Sequence, residues 1–320
     1  MAIGEPLPLP EGFLVGHATR GDGASGCTVV IPPPGTRGAV EVLGGGTGTR
    51  EIEPLRLPAN AEGPNAVLLT GGSAFGLAAA DGVVRWLEER GVGRPTPMAV
   101  VPLVPTAVIF DLQAGGERPG PELAYEACEG AASGIPERGS IGAGAGAAVG
   151  KVLGRERASN SGIGYAAGHT ADGSTVAVVA VANSVGDVID RDGSVLGGPH
   201  DERGQLRRSA ELFAQLRAGA TWPVTPGEST TLVCVCTDAP LDKRDCGIVA
   251  RMAAAGIARA VDPVFSPMDG DVIFCLAAGS GEMPERGFER SILLSGIGAV
   301  AATTVAEAIR DAVRRSAAVT

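Results

Sequence analysis

Short apolar runs rich in β-branched residues alternate along the whole chain with helix-patterned stretches, and this alternation restricts the fold more than any other feature. Strand-like runs fall at Cys27–Ile31, Ala39–Leu43, Ala66–Thr70, Met98–Pro102, Ala107–Asp111, Thr175–Asn183, Thr231–Thr237 and Asp271–Ala277. Helical patterns fall at Ser73–Arg90, Glu122–Ala132, Leu206–Arg217, Lys243–Ala260 and Arg290–Arg314. In the first helix Leu77, Ala80, Val84 and Leu87 share a face and Gly91 is a stop. Mixed sheets covered by helices bury such a pattern most economically. Aromatics make up only 3% of the 320 residues, so Val, Ala, Leu and Ile must build the core. The segment from Leu196 to Glu228 combines Gly, Pro and charge around one short amphipathic helix and reads as an exposed connector.

Several function classes are set aside by composition. The net charge is −10 without a basic cluster, and the few aromatics are not interleaved with Lys or Arg, which argues against a nucleic-acid partner. The start, MAIGEPLPLPEG, has neither a basic nor an apolar signal region. The apolar C-terminal stretch reaches charge too soon to span a bilayer, so no membrane partner is expected and the protein reads as cytoplasmic. The six cysteines show no C-x-x-C spacing and lie mostly in apolar runs, as small core residues of a reduced protein do. His17, His169 and His200 are isolated, which leaves no zinc ligand set and no ready triad histidine; neither metal nor cofactor is expected.

Two glycine-rich stretches invite a nucleotide reading and fail it. GGGTGT at Gly44–Thr49 has no lysine, and in GAGAGAAVGK at Gly142–Lys151 the final GAAVGK is too short for a phosphate loop, with Val152 where a metal-binding hydroxyl belongs. What remains is close backbone packing that leads to one lysine. The stretch TPGESTTLVCVCTDAP, Thr225 to Pro240, raises another question, because hydroxyl residues stand at the boundary between a loop and a buried strand. Threonine favours strands and serine favours turns, and that explains the boundary without any chemistry.

Six blocks in order carry a resemblance that supplies the chemistry. GGSAFGLAAADGVVRWLEE at Gly71–Glu89, AVIFDL at Ala107–Leu112, GSIGAGAGAAVGK at Gly139–Lys151, VAVVAVANSVGDV at Val176–Val188, TTLVCVCTDA at Thr230–Ala239 and MDGDVIFCLAAG at Met268–Gly279 together resemble DmpA-type aminopeptidases. That family includes β-peptidyl aminopeptidases and nylon-oligomer hydrolases, which resemble N-terminal-nucleophile hydrolases. The resemblance implies an α/β fold, a four-layer αββα-type sandwich. It also implies a single hydrolase domain over residues 1–320 that cuts itself into 1–229 and 230–320, acts on a small peptide or amide substrate, and assembles as a homotetramer of processed heterodimers.

On this resemblance the cleavage site is Ser229-Thr230 and the nucleophile is Thr230. An N-terminal threonine carries an α-amine with a pKa of about 8, close enough to working pH to take the hydroxyl proton, so cleavage creates the base. Thr231 points to the other face of the strand and packs there. Asp269 and Asp271, at i and i+2, share a face; the resemblance makes them orient the Thr230 amine, and the alternative is a D-G turn. Asn183 matches an oxyanion donor or is a strand-end turn residue. Lys151 matches a lysine near the nucleophile that favours deprotonation, or is solvated.

Two positions depart from the family. Relatives often place Asn or Gly before the nucleophile, where this chain has Ser229 preceded by Glu228. Phe110 replaces a tyrosine whose hydroxyl faces the reacting carbonyl in some relatives; loss of one such donor costs roughly a hundredfold. Gly72 and Ser73, at a helix start, are candidates to replace it with free N–H groups, Ser73 otherwise being an N-cap. An amine acyltransferase of ornithine-acetyltransferase type and an uncut, non-catalytic binding protein are the alternatives.

Overall fold

A computed structural model of the chain describes residues 7–113, 116–217, 228–285 and 287–317. The principal strands are β1 (Leu14–Thr19), β2 (Gly26–Ile31), β3 (Arg37–Val42), β4 (Thr49–Arg50), β5 (Val67–Thr70), β6 (Thr106–Val108), β7 (Ile163–His169), β8 (Thr175–Asn183), β9 (Thr230–Thr237) and β10 (Val272–Ala277). They form two mixed five-stranded sheets, ordered β1-β2-β5-β6-β4 and β7-β8-β9-β10-β3. In each sheet one pair is parallel, β5 with β6 and β9 with β10.

Strand alternation sorts the side chains into three cores. From the second sheet, Val179, Val181, Leu232, Cys234 and Phe274 point toward the first sheet and meet Val30, Val67, Leu69 and Ile109. Their alternates, Val178, Ala180, Val233, Val235 and Ile273, point away and pack on α4 (Lys243–Ala260) and α5 (Phe288–Ala317). Val29 and Leu68 of the first sheet pack outward on α1 (Ala80–Glu89) and α2 (Pro121–Glu129). The layer order is helix, sheet, sheet, helix. A strand buried on both faces needs apolar residues at every position, which is why β8 and β9 read as continuous runs. All six cysteines are buried and free.

The α4 boundaries are those its pattern predicts. Asp242 accepts from the Asp245 amide at 2.8 Å and completes a capping box there. Elsewhere tertiary contacts overrule the pattern. The helix expected to run unbroken from Ser73 begins as Ser73–Gly76, tightens to a 3₁₀ turn at Leu77–Ala79 and only then becomes α1. Its N-cap is Gly72 at φ 83°, and Ser73 itself is left-handed at φ 51°, so Ser73 is not the cap. The Met98–Pro102 run contributes only Val100–Val101 to a two-stranded ribbon.

β1 and β7, edge strands without a clear apolar alternation, escape the sequence reading because glycines interrupt them. Those glycines are required: a Cβ on Gly16 would lie 1.9 Å from the Ala127 carbonyl oxygen of α2, and one on Gly164 1.8 Å from that of Ala308 in α5. The connector is also not wholly exposed. Its helix shortens to α3 (Ser209–Ala214), because the buried Asp187 carboxylate accepts from the Ser209 amide at 2.8 Å and from its hydroxyl at 2.5 Å. Residues 218–227 of that connector lie outside the described residues.

The C-terminal helix corrects another expectation. By length and composition Phe288–Ser316 is apolar enough to cross a membrane, contrary to the sequence reading. Over half of its apolar stretch is buried in the protein, against α4 and the second sheet, so its hydrophobicity has a core to fill.

Candidate active site

The strand parity that builds the cores also places the chemistry. Thr230 opens β9 with the parity of Leu232 and Cys234, so it stands at the end of the core between the sheets, opposite Asn183 of β8. Thr231 has the parity of Val233 and faces the helices. The parallel pairing of β9 with β10 runs Leu232 against Val272 and extends backwards to Ser229 against Asp269. This register sets Asp269 and Asp271 on the Thr231 face, while Gly270 shares the Thr230 face. Ser229 and Thr230 are both buried, at 1% and 2% exposure.

At the Ser229-Thr230 bond the Thr230 hydroxyl donates to the Ser229 carbonyl oxygen at 2.6 Å, and the Gly270 N–H donates to the same oxygen at 2.8 Å. One residue upstream, the Glu228 carbonyl accepts from the Lys151 ammonium and, at 3.5 Å, from the Asn183 amide. Lys151 Nζ also donates to the Asn183 carbonyl at 2.8 Å. Asn183 is held at its other end: Oδ1 accepts from the Ala148 amide at 3.2 Å, and Nδ2 reaches the Phe110 carbonyl at 3.3 Å. Thr230, Ser229, Asn183, Lys151 and Phe110 are therefore gathered at one place.

The N–H groups of Gly72 and Ser73 are taken. Gly72 donates to Asp111 Oδ1 at 2.6 Å and Ser73 to the Ile109 carbonyl at 2.9 Å, so neither amide is a spare donor. Asp269 accepts from the Ser266 hydroxyl at 2.6 Å, the Ser266 amide at 3.2 Å and the Val185 amide at 3.4 Å. Asp271 accepts from the Thr231 amide at 2.7 Å, and its second oxygen has no partner among the described residues. Burial, and then the neighbouring Asp269 charge, hold the Asp271 carboxyl well above the usual carboxylate range.

Lys151 is delivered by the second glycine-rich stretch. Gly150 at φ 74° turns the chain so that its N–H and that of Lys151 bond the Gly186 and Val185 carbonyls at 3.0 and 3.1 Å. The lysine is 3% exposed, not solvated. Burial, with Arg155 adding to it, pushes the ammonium down to about 7, against the opposing pull of Asp269, Glu228 and Asp111. The first glycine stretch wraps the acidic turn, with Gly46 N–H on the Asp269 carbonyl at 2.8 Å. Both stretches thus provide close backbone approach.

The depressed Lys151 pKa has a stability consequence with a definite sign. Between about 7 and its ordinary 10.5 the unfolded chain binds a proton that the folded chain does not, so stability rises with pH across that window. Below it both states are protonated and the full penalty is present. In a Thr230→Ala background, so that every chain is intact, denaturant titrations at pH 7 and pH 9.5 should show this gain, at most about 1.4 kcal/mol per pH unit. Lys151→Met should lack it. Equal slopes for the two chains would mean that Lys151 titrates normally.

Gly270 and Asp111 are the site residues that the sequence reading missed. Gly270 sits between two acids in MDGDV, a signal read only as a turn. Asp111 ends an apolar run as a buried carboxylate, and such a group requires donors. His17, by contrast, is structural: its ring lies 3.0 Å from the Thr28 hydroxyl, and burial lowers its pKa to about 4.

Known proteins resemble this chain in sequence and in fold. The sequence profile of peptidase family S58 matches residues 11–320. An uncharacterized aminopeptidase of Mycobacterium tuberculosis is 40% identical over 320 residues, covering 93% of this chain and 90% of that protein. A 6-aminohexanoate-oligomer endohydrolase of Paenarthrobacter ureafaciens is 31% identical over 308 residues, covering 94% and 84%. Among solved structures, a Burkholderia sp. beta-aminopeptidase superposes with a TM-score of 0.68 at 22% identity, covering 98% of this chain and 89% of that one. The L-aminopeptidase D-Ala-esterase/amidase of Ochrobactrum anthropi, described as a variant of the Ntn hydrolase fold, gives 0.67 at 17% identity, covering 96% and 85%.

Proposed function

The chain belongs to peptidase family S58 and is a hydrolase of the peptidase/amidase type, and from that premise we propose that it cuts itself between Ser229 and Thr230 and then uses Thr230 to hydrolyse small peptide-like amides. The observation that carries the reading is the Thr230 hydroxyl resting 2.6 Å from the oxygen of the carbonyl that precedes it. Attack of Oγ1 on the Ser229 carbonyl carbon moves the acyl group from nitrogen to oxygen. Water then hydrolyses that ester, freeing the Ser229 carboxylate, the Thr230 hydroxyl and an α-amine.

In the cut protein the amine takes the Thr230 hydroxyl proton when a substrate carbonyl arrives. Asp269 and Asp271 orient the amine and stabilise its charged form. Lys151 and Asn183, whose donors meet the Glu228 carbonyl in the intact chain, become available to a substrate once that segment leaves. Phe110, Gly72 and Ser73 line the approach. The reading includes a cytoplasmic protein, a single hydrolase domain working without cofactor as a tetramer of cut pairs.

The test follows both events in one sample. As purified protein is incubated near neutral pH, release of p-nitroaniline from alanyl and β-alanyl p-nitroanilides should rise in step with the small fragment. Added amines should leave the hydrolysis product dominant. Steady hydrolysis by a wholly intact chain would remove the Thr230 amine from the mechanism.

A further inference from the structure

Two donors meet the Ser229 carbonyl oxygen, the Thr230 hydroxyl at 2.6 Å and the Gly270 N–H at 2.8 Å. The first is the nucleophile, and it gives up its proton as it attacks. The hydrogen bonds of Asn183 and Lys151 go elsewhere, to the carbonyls of Phe110, Glu228 and Asn183. Among the described residues one fixed donor is therefore left on the oxygen where negative charge develops. We infer that the backbone N–H of Gly270 is the oxyanion donor for the chain's own cleavage.

The arrangement is rigid before the reaction begins, as such stabilisation requires. The parallel register of β9 and β10 carries Gly270 past the scissile bond. On the far side Gly46 N–H holds the Asp269 carbonyl of the Asp269-Gly270 peptide at 2.8 Å, and Leu43 N–H holds the Asp271 carbonyl, one peptide group beyond Gly270, at 3.0 Å, so the backbone is tied both before and after Gly270. A trans peptide points its N–H away from its carbonyl, and the Asp269-Gly270 unit thus aims its hydrogen at Ser229.

Space requires the same residue. A Cβ at position 270 would stand 2.8 Å from Thr230 Oγ1 and 2.8 Å from the Gly46 carbonyl oxygen. A side chain there has to move either the nucleophile or the backbone that aims the donor.

The step balances without outside reagents other than water. Oγ1 bonds to the Ser229 carbonyl carbon, and the carbonyl π pair moves onto the oxygen facing Gly270. The hydroxyl proton passes to the Thr230 nitrogen, the C–N bond breaks as the oxyanion collapses, and water hydrolyses the resulting ester.

The inference rests on Thr230 as the self-cleaving nucleophile, and the test separates the two. Glycolic acid placed at position 270 by nonsense suppression replaces the N–H with an ester oxygen and leaves the shape unchanged. The protein should fold and cut at least about a hundredfold more slowly. The same replacement at position 38, at the end of β3 remote from Gly270, removes the 2.8 Å bond from the Gly38 N–H to the Glu62 carbonyl and serves as the structural control, expected to cut near the rate of the natural chain. Cutting at the natural rate with glycolate at 270, or equal slowing by both esters, overturns the role of Gly270 while leaving Thr230 in place. Should the position-270 ester not fold, Gly270→Ala gives the second reading: slow cutting is expected, and the natural rate overturns the inference. A natural chain that never cuts takes down the Thr230 reading itself.

Discussion

Thr230→Ala is expected to leave the chain intact at its full 32.0 kDa and to abolish amide hydrolysis, by about four orders of magnitude or more. Both effects would have one cause, because on the proposed reading the hydroxyl that opens the Ser229-Thr230 bond is the one that later attacks substrate. Little else should change. The hydroxyl's partner, the Ser229 carbonyl, keeps its bond from Gly270 N–H, so no acceptor is left bare. Thr230→Ser retains a hydroxyl and, after cutting, an amine, so it should keep part of both activities. It loses the methyl that restricts the rotamer, and slower cutting should follow. Intact mass and p-nitroanilide turnover check the series. Normal hydrolysis by folded Thr230→Ala protein would remove this residue from the mechanism.

The second large effect is the cut, which divides the 320 residues into 229 and 91. Denaturing mass spectrometry should find fragments of about 23 and about 9 kDa, and the smaller should begin Thr-Thr-Leu-Val. Under native conditions they should elute together. The sheet order gives the reason: β9 and β10 of the small fragment lie between β8 and β3 of the large one. Separation would break two ladders of backbone hydrogen bonds and open both cores that β9 lines. A small fragment with another first residue, or one that dissociates on cutting, would contradict this assignment. Persistence of the intact mass after long incubation near neutral pH would leave Thr230 without an amine.

How far the sequence could be read depended on whether local pattern and tertiary demand coincided. At β8 they did, because a strand covered on both faces must be apolar along its covered length, and residues 176–182 are. At α4 they did again, since its cap lies within its own first turn. At β1 and β7 they conflicted. Helix backbones press so close that glycine is needed, and glycine weakens the strand signal. Ser73 looks like a cap by residue type, yet the tie from Gly72 to Asp111, 39 residues away, moves the cap back by one.

The candidate site divides in the same way. The blocks that resemble the family pick out Thr230, Asn183, Lys151, Asp269 and Asp271 as residues. They do not pick out the partners of those residues. The i, i+2 spacing of the acids puts them on one face of a strand, but only the pairing of β10 with β9 makes it the face of Thr231.

Sequence alone determined that mixed sheets are covered by helices, through the alternation of apolar strands and helices, and it placed a hydroxyl at the mouth of a buried strand. It also carried the ordered blocks that mark the family. Tertiary structure decided that Lys151 is buried and its pKa lowered, and that the Gly270 N–H reaches the Ser229 carbonyl beside the Thr230 hydroxyl. The physical reason is that a residue's type travels with the chain, whereas burial and the direction of a backbone N–H do not. Those are set by the register between strands distant in sequence, and one residue of slip would turn every donor here to the other face.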